Sequence, residues 1–148
     1  MVNSQQDLAS RVDLLRQSYA EVGGPSPDQW AHILSIPADR PVSLVNLFAF
    51  RDVADYGESS EAPVTGQEAF NRYAAVSAPT LDRVGGRFVH FGSHHGNLVG
   101  DDEAWDLVVV GEYPGVDALL ALHEDPAYRD AYVHRVAACS RQRVLISA

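Results

Sequence analysis

The chain has 148 residues, 46% apolar and 21% charged, which fits one globular domain and excludes a disordered chain. A net charge of −9 argues against a nucleic-acid partner, whose phosphates need a basic surface. Every basic residue is an arginine, so lysine Schiff-base chemistry, pyridoxal phosphate attachment and a phosphate-loop lysine are all excluded.

In chain order, residues 4 to 22 read as an amphipathic helix, with Leu8, Val12, Leu15, Tyr19 and Val22 on one face. Gly23-Gly24-Pro25 ends it. Ser26-Pro27-Asp28-Gln29 is a capping box that opens a short second helix with Trp30, Ile33 and Leu34 on its apolar side. Pro41 to Phe50 is a strand with both faces largely apolar, and an acidic loop follows from Arg51 to Val64. A second capping box, Thr65-Gly66-Gln67-Glu68, opens a helix with Phe70, Tyr73, Ala74, Ser77 and Leu81 inward, ending at Gly85-Gly86. Strands are expected at Arg87 to His95 and Trp105 to Tyr113, joined by a turn region rich in glycine and aspartate. A short helix to about His123, a longer one from Asp125-Pro126 through Cys139, and a strand from Arg141 to Ser147 complete the chain.

From Pro41 onward the order is strand, helix, strand, strand, helix, strand. That is the split βαβ pattern of an α+β, ferredoxin-like βαββαβ fold, with an antiparallel sheet covered by helices on one face. Residues 1–40 read as an N-terminal helical extension and 41–148 as the ferredoxin-like α/β-barrel domain. The uncovered sheet face is too apolar to stay wet, so a homodimer formed through it is expected. No run approaches the roughly 20 apolar residues of a membrane span, and Met1 to Asp7 lacks the features of a signal peptide. The expected location is therefore cytoplasmic, with no membrane partner. The single cysteine, Cys139, excludes an intrachain disulfide and reads as a small buried residue of the last helix.

The stretch Gly66 to Ala148 resembles the domain of unknown function 1330 family of the dimeric α/β-barrel superfamily. The phrases that carry the resemblance are Glu68-Ala69-Phe70-Asn71-Arg72-Tyr73, Val84-Gly85-Gly86-Arg87-Phe88, Val110-Gly111-Glu112-Tyr113-Pro114 and Asp125-Pro126-Ala127-Tyr128 with His134-Arg135. Val42 to Phe48 is similar to the first strand of the family's longer members, which also carry a helical addition at the N-terminus. The resemblance implies a dimeric barrel. The wider superfamily includes cofactor-free monooxygenases, haem-degrading enzymes, isomerases and dehydratases, so fold analogy points to a pocket rather than to one reaction.

The polar residues that could carry chemistry are few. Asn46 interrupts an apolar strand, so its amide needs partners, either structural or on a ligand carbonyl. Glu112 ends a strand and reads either as a general base or as a salt-bridge partner of an arginine. Tyr73 faces inward and could donate to a developing oxyanion. His134 and Arg135 lie near the end of the last helix, where the arginine either pairs with a carboxylate or clamps an anionic ligand. His90, His94 and His95 form a cluster whose strand spacing suits one metal poorly, so no metal is expected; His90 is the candidate pocket histidine. Phe48 and Trp105 are strand aromatics that suit a core or an apolar pocket wall.

The resulting expectation is a small-molecule-binding homodimer, a cofactor-independent enzyme of isomerase, dehydratase or monooxygenase type. Its substrate is a small carbonyl- or carboxylate-containing metabolite. Glu112, Tyr73 and His90 are its catalytic candidates, and Asn46, Phe48, Trp105, His134 and Arg135 its substrate-binding candidates. The alternatives are a non-catalytic metabolite binder and a purely structural dimer.

Overall fold

A computed structural model describes residues 5–148; the expected helix start at Ser4, and the first four residues of the Met1 to Asp7 segment read for a signal peptide, lie outside the described residues. Two helices come first, α1 (Gln5–Tyr19) and α2 (Pro27–His32), and a 3-10 turn (Ile33–Ser35) follows them. Then come β1 (Val42–Phe50), α3 (Gly66–Arg83), β2 (Arg87–Ser93), β3 (Leu107–Tyr113), α4 (Val116–Glu124), α5 (Pro126–Ala138) and β4 (Cys139–Ser147). The strands form one antiparallel sheet in the order β2-β3-β1-β4. This is the α+β, ferredoxin-like arrangement, with helices ahead of the first strand. Among the described residues no helix is long and apolar enough to cross a membrane.

Local chemistry starts the helices where the residues predict. Ser26 and Gln29 bond reciprocally across the first turn of α2, and Thr65 and Glu68 do the same for α3. Asp125 caps α5 by accepting from Tyr128 N at 3.1 Å, with Pro126 in the first turn. That backbone bond, with help from Arg83, holds the Asp125 carboxyl below its ordinary pKa. Gly85 leaves α3 at φ +91°, a left-handed conformation that a side chain would strain. Gly66 is there for space: a Cβ would sit 2.2 Å from the Arg51 carbonyl oxygen.

Several boundaries differ from expectation: α1 ends at Tyr19 rather than at residue 22, β2 ends at Ser93 rather than His95, and two further differences have a local cause. The last helix stops at Ala138, and Cys139 opens β4 by pairing with Phe50 across the sheet. The third strand begins at Leu107 rather than Trp105, because the Asp106 carboxylate accepts from Phe50 N at 2.7 Å and ends regular pairing there.

The register sorts side chains between two sheet faces. Asn46 lies between Val109 and Val144, and Phe48 between Leu107 and Gln142. That face meets α3 and α5; Phe48 packs on Phe70 at 4.8 Å between ring centroids. The opposite face carries Val45 and Leu47, flanked by Val110 and Val108 on one side and by Leu145 and Arg143 on the other. No element covers it among the described residues, and its central aliphatic side chains are only half-buried.

The N-terminal helices lie against α4. Arg11 bonds both Glu124 and Asp117, and Tyr19 donates its hydroxyl to the His123 carbonyl at 2.7 Å. Tyr19 also packs edge-on against His123 and Tyr132, which ties these helices to the core.

Candidate functional site

A cavity of about 880 Å³ lies between the helix-facing side of the sheet and the helices, within the size range of small-molecule sites. Leu44, Asn46, Phe48 and Val109 form part of its floor, with Phe70 and Tyr73 from α3 and Tyr128, Tyr132 and Arg135 from α5 above. Tyr128, Tyr132 and Arg135 share a face of α5 because they are spaced by four and three residues.

Arg135 is the centre of the site. It is 6% exposed, yet no carboxylate lies within 4.0 Å of it among the described residues. Its Nε donates to Gln142 Oε1 at 2.9 Å and its Nη1 to the Tyr73 hydroxyl at 3.0 Å. A guanidinium has five N–H donors, so most of its hydrogen-bonding capacity is left over. Aromatic faces surround the charge: Cζ lies 4.8 Å from the Phe48 ring centroid, 5.3 Å from Tyr132 and 5.4 Å from Tyr73. Burial opposes the charge, but the surrounding Tyr132, Tyr73 and Tyr128 more than offset it, so the pKa stays above the ordinary arginine value.

Hydroxyls extend the network. Tyr73 Oη lies 2.8 Å from Tyr128 Oη. Burial, reinforced by Tyr73, raises the Tyr128 pKa well above that of a free phenol, so Tyr128 keeps its proton, and either hydroxyl can donate in this bond. Asn46 donates through Nδ2 to the Val109 carbonyl at 3.1 Å and, more loosely, to Leu44 O at 3.4 Å. Both bonds use the amide nitrogen, so the side-chain carbonyl oxygen keeps its acceptor capacity.

The structure brings Asn46, Phe48, Tyr73 and Arg135 to one cavity and leaves the other candidates outside it. Glu112 is opposite Ser43, on the other face of the sheet from Asn46, and its carboxylate pairs with Arg87 at 2.6 Å. His90 also turns to that outer face. A register shift between Phe88 and His90 breaks the alternation, so Phe88 and Phe91 face the helices and His90 does not. His134 bonds through Nδ1 to the Tyr56 hydroxyl at 2.7 Å, beside the acidic loop. Trp105 is buried under two arginines, with Arg141 Cζ 4.0 Å and Arg143 Cζ 5.7 Å from its ring centroid. Glu112, His90, His134 and Trp105 are therefore placed outside the cavity by the sheet register and their own partners. His94 bonds to Asn97 within the hairpin turn, and no cluster of three or more potential metal ligands occurs among the described residues.

Sequence reasoning missed several cavity residues, among them Tyr128, His123 and Trp30. His123 donates through Nδ1 to the Leu119 carbonyl at 3.0 Å, and burial pushes its pKa down to about 4. The ring is therefore neutral at pH 7, and Nε2 carries the lone pair. Trp30 is 1% exposed and its indole Nε1 has no hydrogen-bond partner. The signal for His123 was a histidine ending the apolar run Ala118 to Leu122 on a short helix. For Trp30 the capping box announced the helix but nothing announced the cavity.

Comparison with known proteins places this geometry in context. The family described as "Domain of unknown function (DUF1330)" matches residues 60–148. The crystal structure of methylated RPA0582 protein is 33% identical, covers 84% of this chain and 91% of that chain, and superposes at a TM-score of 0.75. The crystal structure of the RPA0582 protein of unknown function from Rhodopseudomonas palustris is 34% identical, covering 84% and 93%, at a TM-score of 0.74. No curated protein matches.

Proposed function

Because the chain belongs to the domain of unknown function 1330 family, whose description names no reaction, we propose a function from the cavity itself: binding of, and cofactor-independent chemistry on, a small, partly apolar organic acid. One observation carries this reading. A buried guanidinium, with no carboxylate beside it among the described residues, opens on a cavity walled by aromatic rings. Burying an unpaired charge is costly, and a ligand carboxylate or enolate compensates it.

In this reading Arg135 binds the ligand's anionic end, with Tyr73 donating beside it. Asn46 Oδ1 accepts from the ligand, and Phe48 and Tyr132 enclose its apolar body. Tyr128 supplies a proton through Tyr73 to charge that develops near Arg135. The lining groups around Arg135 are donors, so polarisation of a ligand carbonyl, as in an isomerase or dehydratase, fits this cavity better than any step that needs a carboxylate base.

A second reading, a non-catalytic metabolite binder, rests on its own observation: among the described residues no aspartate or glutamate lines the cavity, and a His123 of pKa about 4 is a weak base. The protein is further proposed to be a homodimer through the uncovered sheet face, to be cytoplasmic, and to be organised as an extension over 1–40 and a barrel domain over 41–148.

The test is calorimetry with a panel of aryl and alkyl carboxylates against wild type and Arg135→Gln. Binding by wild type that falls at least tenfold in the variant supports the reading. Equal binding by both proteins, or none by wild type at millimolar acid, overturns it. Exchange of solvent deuterium into the carbon next to the carbonyl of a bound 2-oxo acid separates enzyme from binder.

A further inference from the structure

The cavity has a second polar end, far along the sequence from Arg135 and built by the helices ahead of β1. Trp30, on α2, is 1% exposed, lines the cavity and has an indole N–H without a partner. Among the described residues it is the only fully buried side-chain polar atom in that condition. Buried donors are nearly always satisfied in folded proteins, so an orphan on a cavity wall marks the place where a ligand supplies the acceptor. His123 is beside it: the two rings lie 5.3 Å apart and nearly perpendicular, at 87°. Because the Nδ1 proton of His123 is committed to the Leu119 carbonyl, Nε2 is an acceptor. One unpaired donor and one acceptor thus belong to two neighbouring rings of the cavity lining.

An aromatic wall joins this end to the anion end. Arg135 stacks on Tyr132 at 5.3 Å, Tyr132 meets Tyr128 at 6.0 Å, and Tyr128 meets His123 at 5.3 Å between ring centroids. A ligand lying along this wall has an anionic group at one end, a flat apolar body, and a polar group at the other.

We propose that Trp30 Nε1 and His123 Nε2 form a subsite for a hydroxyl at the far end of the ligand, so that the protein takes aromatic hydroxy acids. A hydroxyl oxygen accepts from the indole N–H while its own proton goes to the imidazole nitrogen. A carbonyl serves only the first group and an ammonium only the second, so the pair selects a hydroxyl. This inference deepens the proposed function and rests on Arg135 holding the acid end.

The experiment uses matched pairs of probes on the full chain: phenylalkanoates with two to four methylenes, and the same acids carrying a 4-hydroxyl. The expected result is at least fivefold tighter binding of the hydroxy acid than of its parent at one chain length. In Trp30→Phe that advantage disappears, while the parent acid binds as before. Equal affinities within every pair, or an advantage that survives Trp30→Phe, overturn the subsite and leave the Arg135 reading standing. A second measurement needs no variant to fold. In nitrogen-15-labelled wild type, the Trp30 indole N–H resonance moves downfield, saturably, as 4-methylphenol is added. This neutral probe makes no use of Arg135, so if no acid binds at all, its titration still decides: a saturable downfield shift supports the subsite, and an unmoved resonance overturns it.

Discussion

Arg135 donates to the hydroxyl of Tyr73 at 3.0 Å, and among the described residues no carboxylate pairs with the guanidinium. The pair joins α5 to α3 over the centre of the sheet, so the charge is held by rings and hydroxyls rather than by an ion pair. A buried ion without a counter-ion stabilises a fold poorly. Arg135→Met keeps most of the volume and removes the desolvated charge. Its expected melting temperature equals or exceeds that of wild type, while affinity for a carboxylate probe falls at least tenfold. A thermal melt alongside calorimetry checks both; a large drop in melting temperature marks Arg135 as structural instead.

Tyr73→Phe deletes the hydroxyl between Arg135 and Tyr128 without changing the ring that packs on Phe70. A hydrogen bond to a charged group contributes about 1.5–3 kcal/mol. Carboxylate binding is accordingly expected to weaken roughly tenfold, an order of magnitude per 1.4 kcal/mol. Unchanged affinity in Tyr73→Phe shows that the ligand does not use this hydroxyl.

Glu112 was a plausible base by residue type and strand position, yet its substitution is expected to be silent. The Arg87–Glu112 pair is solvent-exposed and lies on the outer face of the sheet. Such pairs contribute about 0–1 kcal/mol. Glu112→Gln should alter ligand affinity by less than about twofold and stability by less than about 1 kcal/mol. A tenfold loss of affinity on calorimetry contradicts the face assignment.

These contrasts show what the residues alone could and could not specify. The order of strands and helices was legible because capping boxes, proline and glycine punctuate it at Ser26, Thr65, Gly85 and Asp125. The inward face of α3 was legible too, since Tyr73 follows from 3.6-residue periodicity, whereas Arg135 near the end of α5 was open to either a carboxylate partner or the cavity. Strand faces were not. β1 is apolar on both sides, so nothing local says that Asn46 and Glu112 point opposite ways; that depends on a pairing register set by partners about 60 residues distant. In β2 one extra residue at Val89 reverses His90, and a bulge leaves no mark in a run of mixed residues. Trp30 and His123 meet only because α1 and α2 pack onto α4, a tertiary event with no periodic signature.

The low pKa of His123 carries a stability consequence. In the unfolded chain a histidine titrates near 6.5, and in the fold this one titrates near 4. Between those values the unfolded state binds more protons, so stability falls as pH drops through 6.5 and the loss is complete below about 4. The shift corresponds to about 3 kcal/mol. His134, also lowered by burial, acts in the same direction. His123→Gln is expected to flatten the dependence of urea midpoint on pH across this window. An unchanged slope places the acid sensitivity elsewhere.

The last prediction concerns the uncovered face. Across the middle of the sheet, His90, Val110, Val45 and Leu145 form one row, and Gly92, Val108, Leu47 and Arg143 the next. The aliphatic centre of these rows is half-buried within one chain, while Leu145 is 48% exposed. Polar residues rim the patch: Arg87 and Glu112 at one end, Arg141 and Glu103 at the other. An apolar centre inside a charged rim is the anatomy of a protein interface, and a second copy of the same face is the simplest occupant. If it is the interface, one charge at its centre breaks it without touching the cavity, because Val45 and Asn46 point to opposite faces. Val45→Arg is therefore expected to turn a dimer into a monomer on light scattering at micromolar concentration, with its far-ultraviolet circular dichroism preserved. A wild type that is already monomeric refutes the assembly outright. A Val45→Arg chain that remains a dimer moves the interface to another surface, because an arginine at each of two facing centres cannot be buried without a partner.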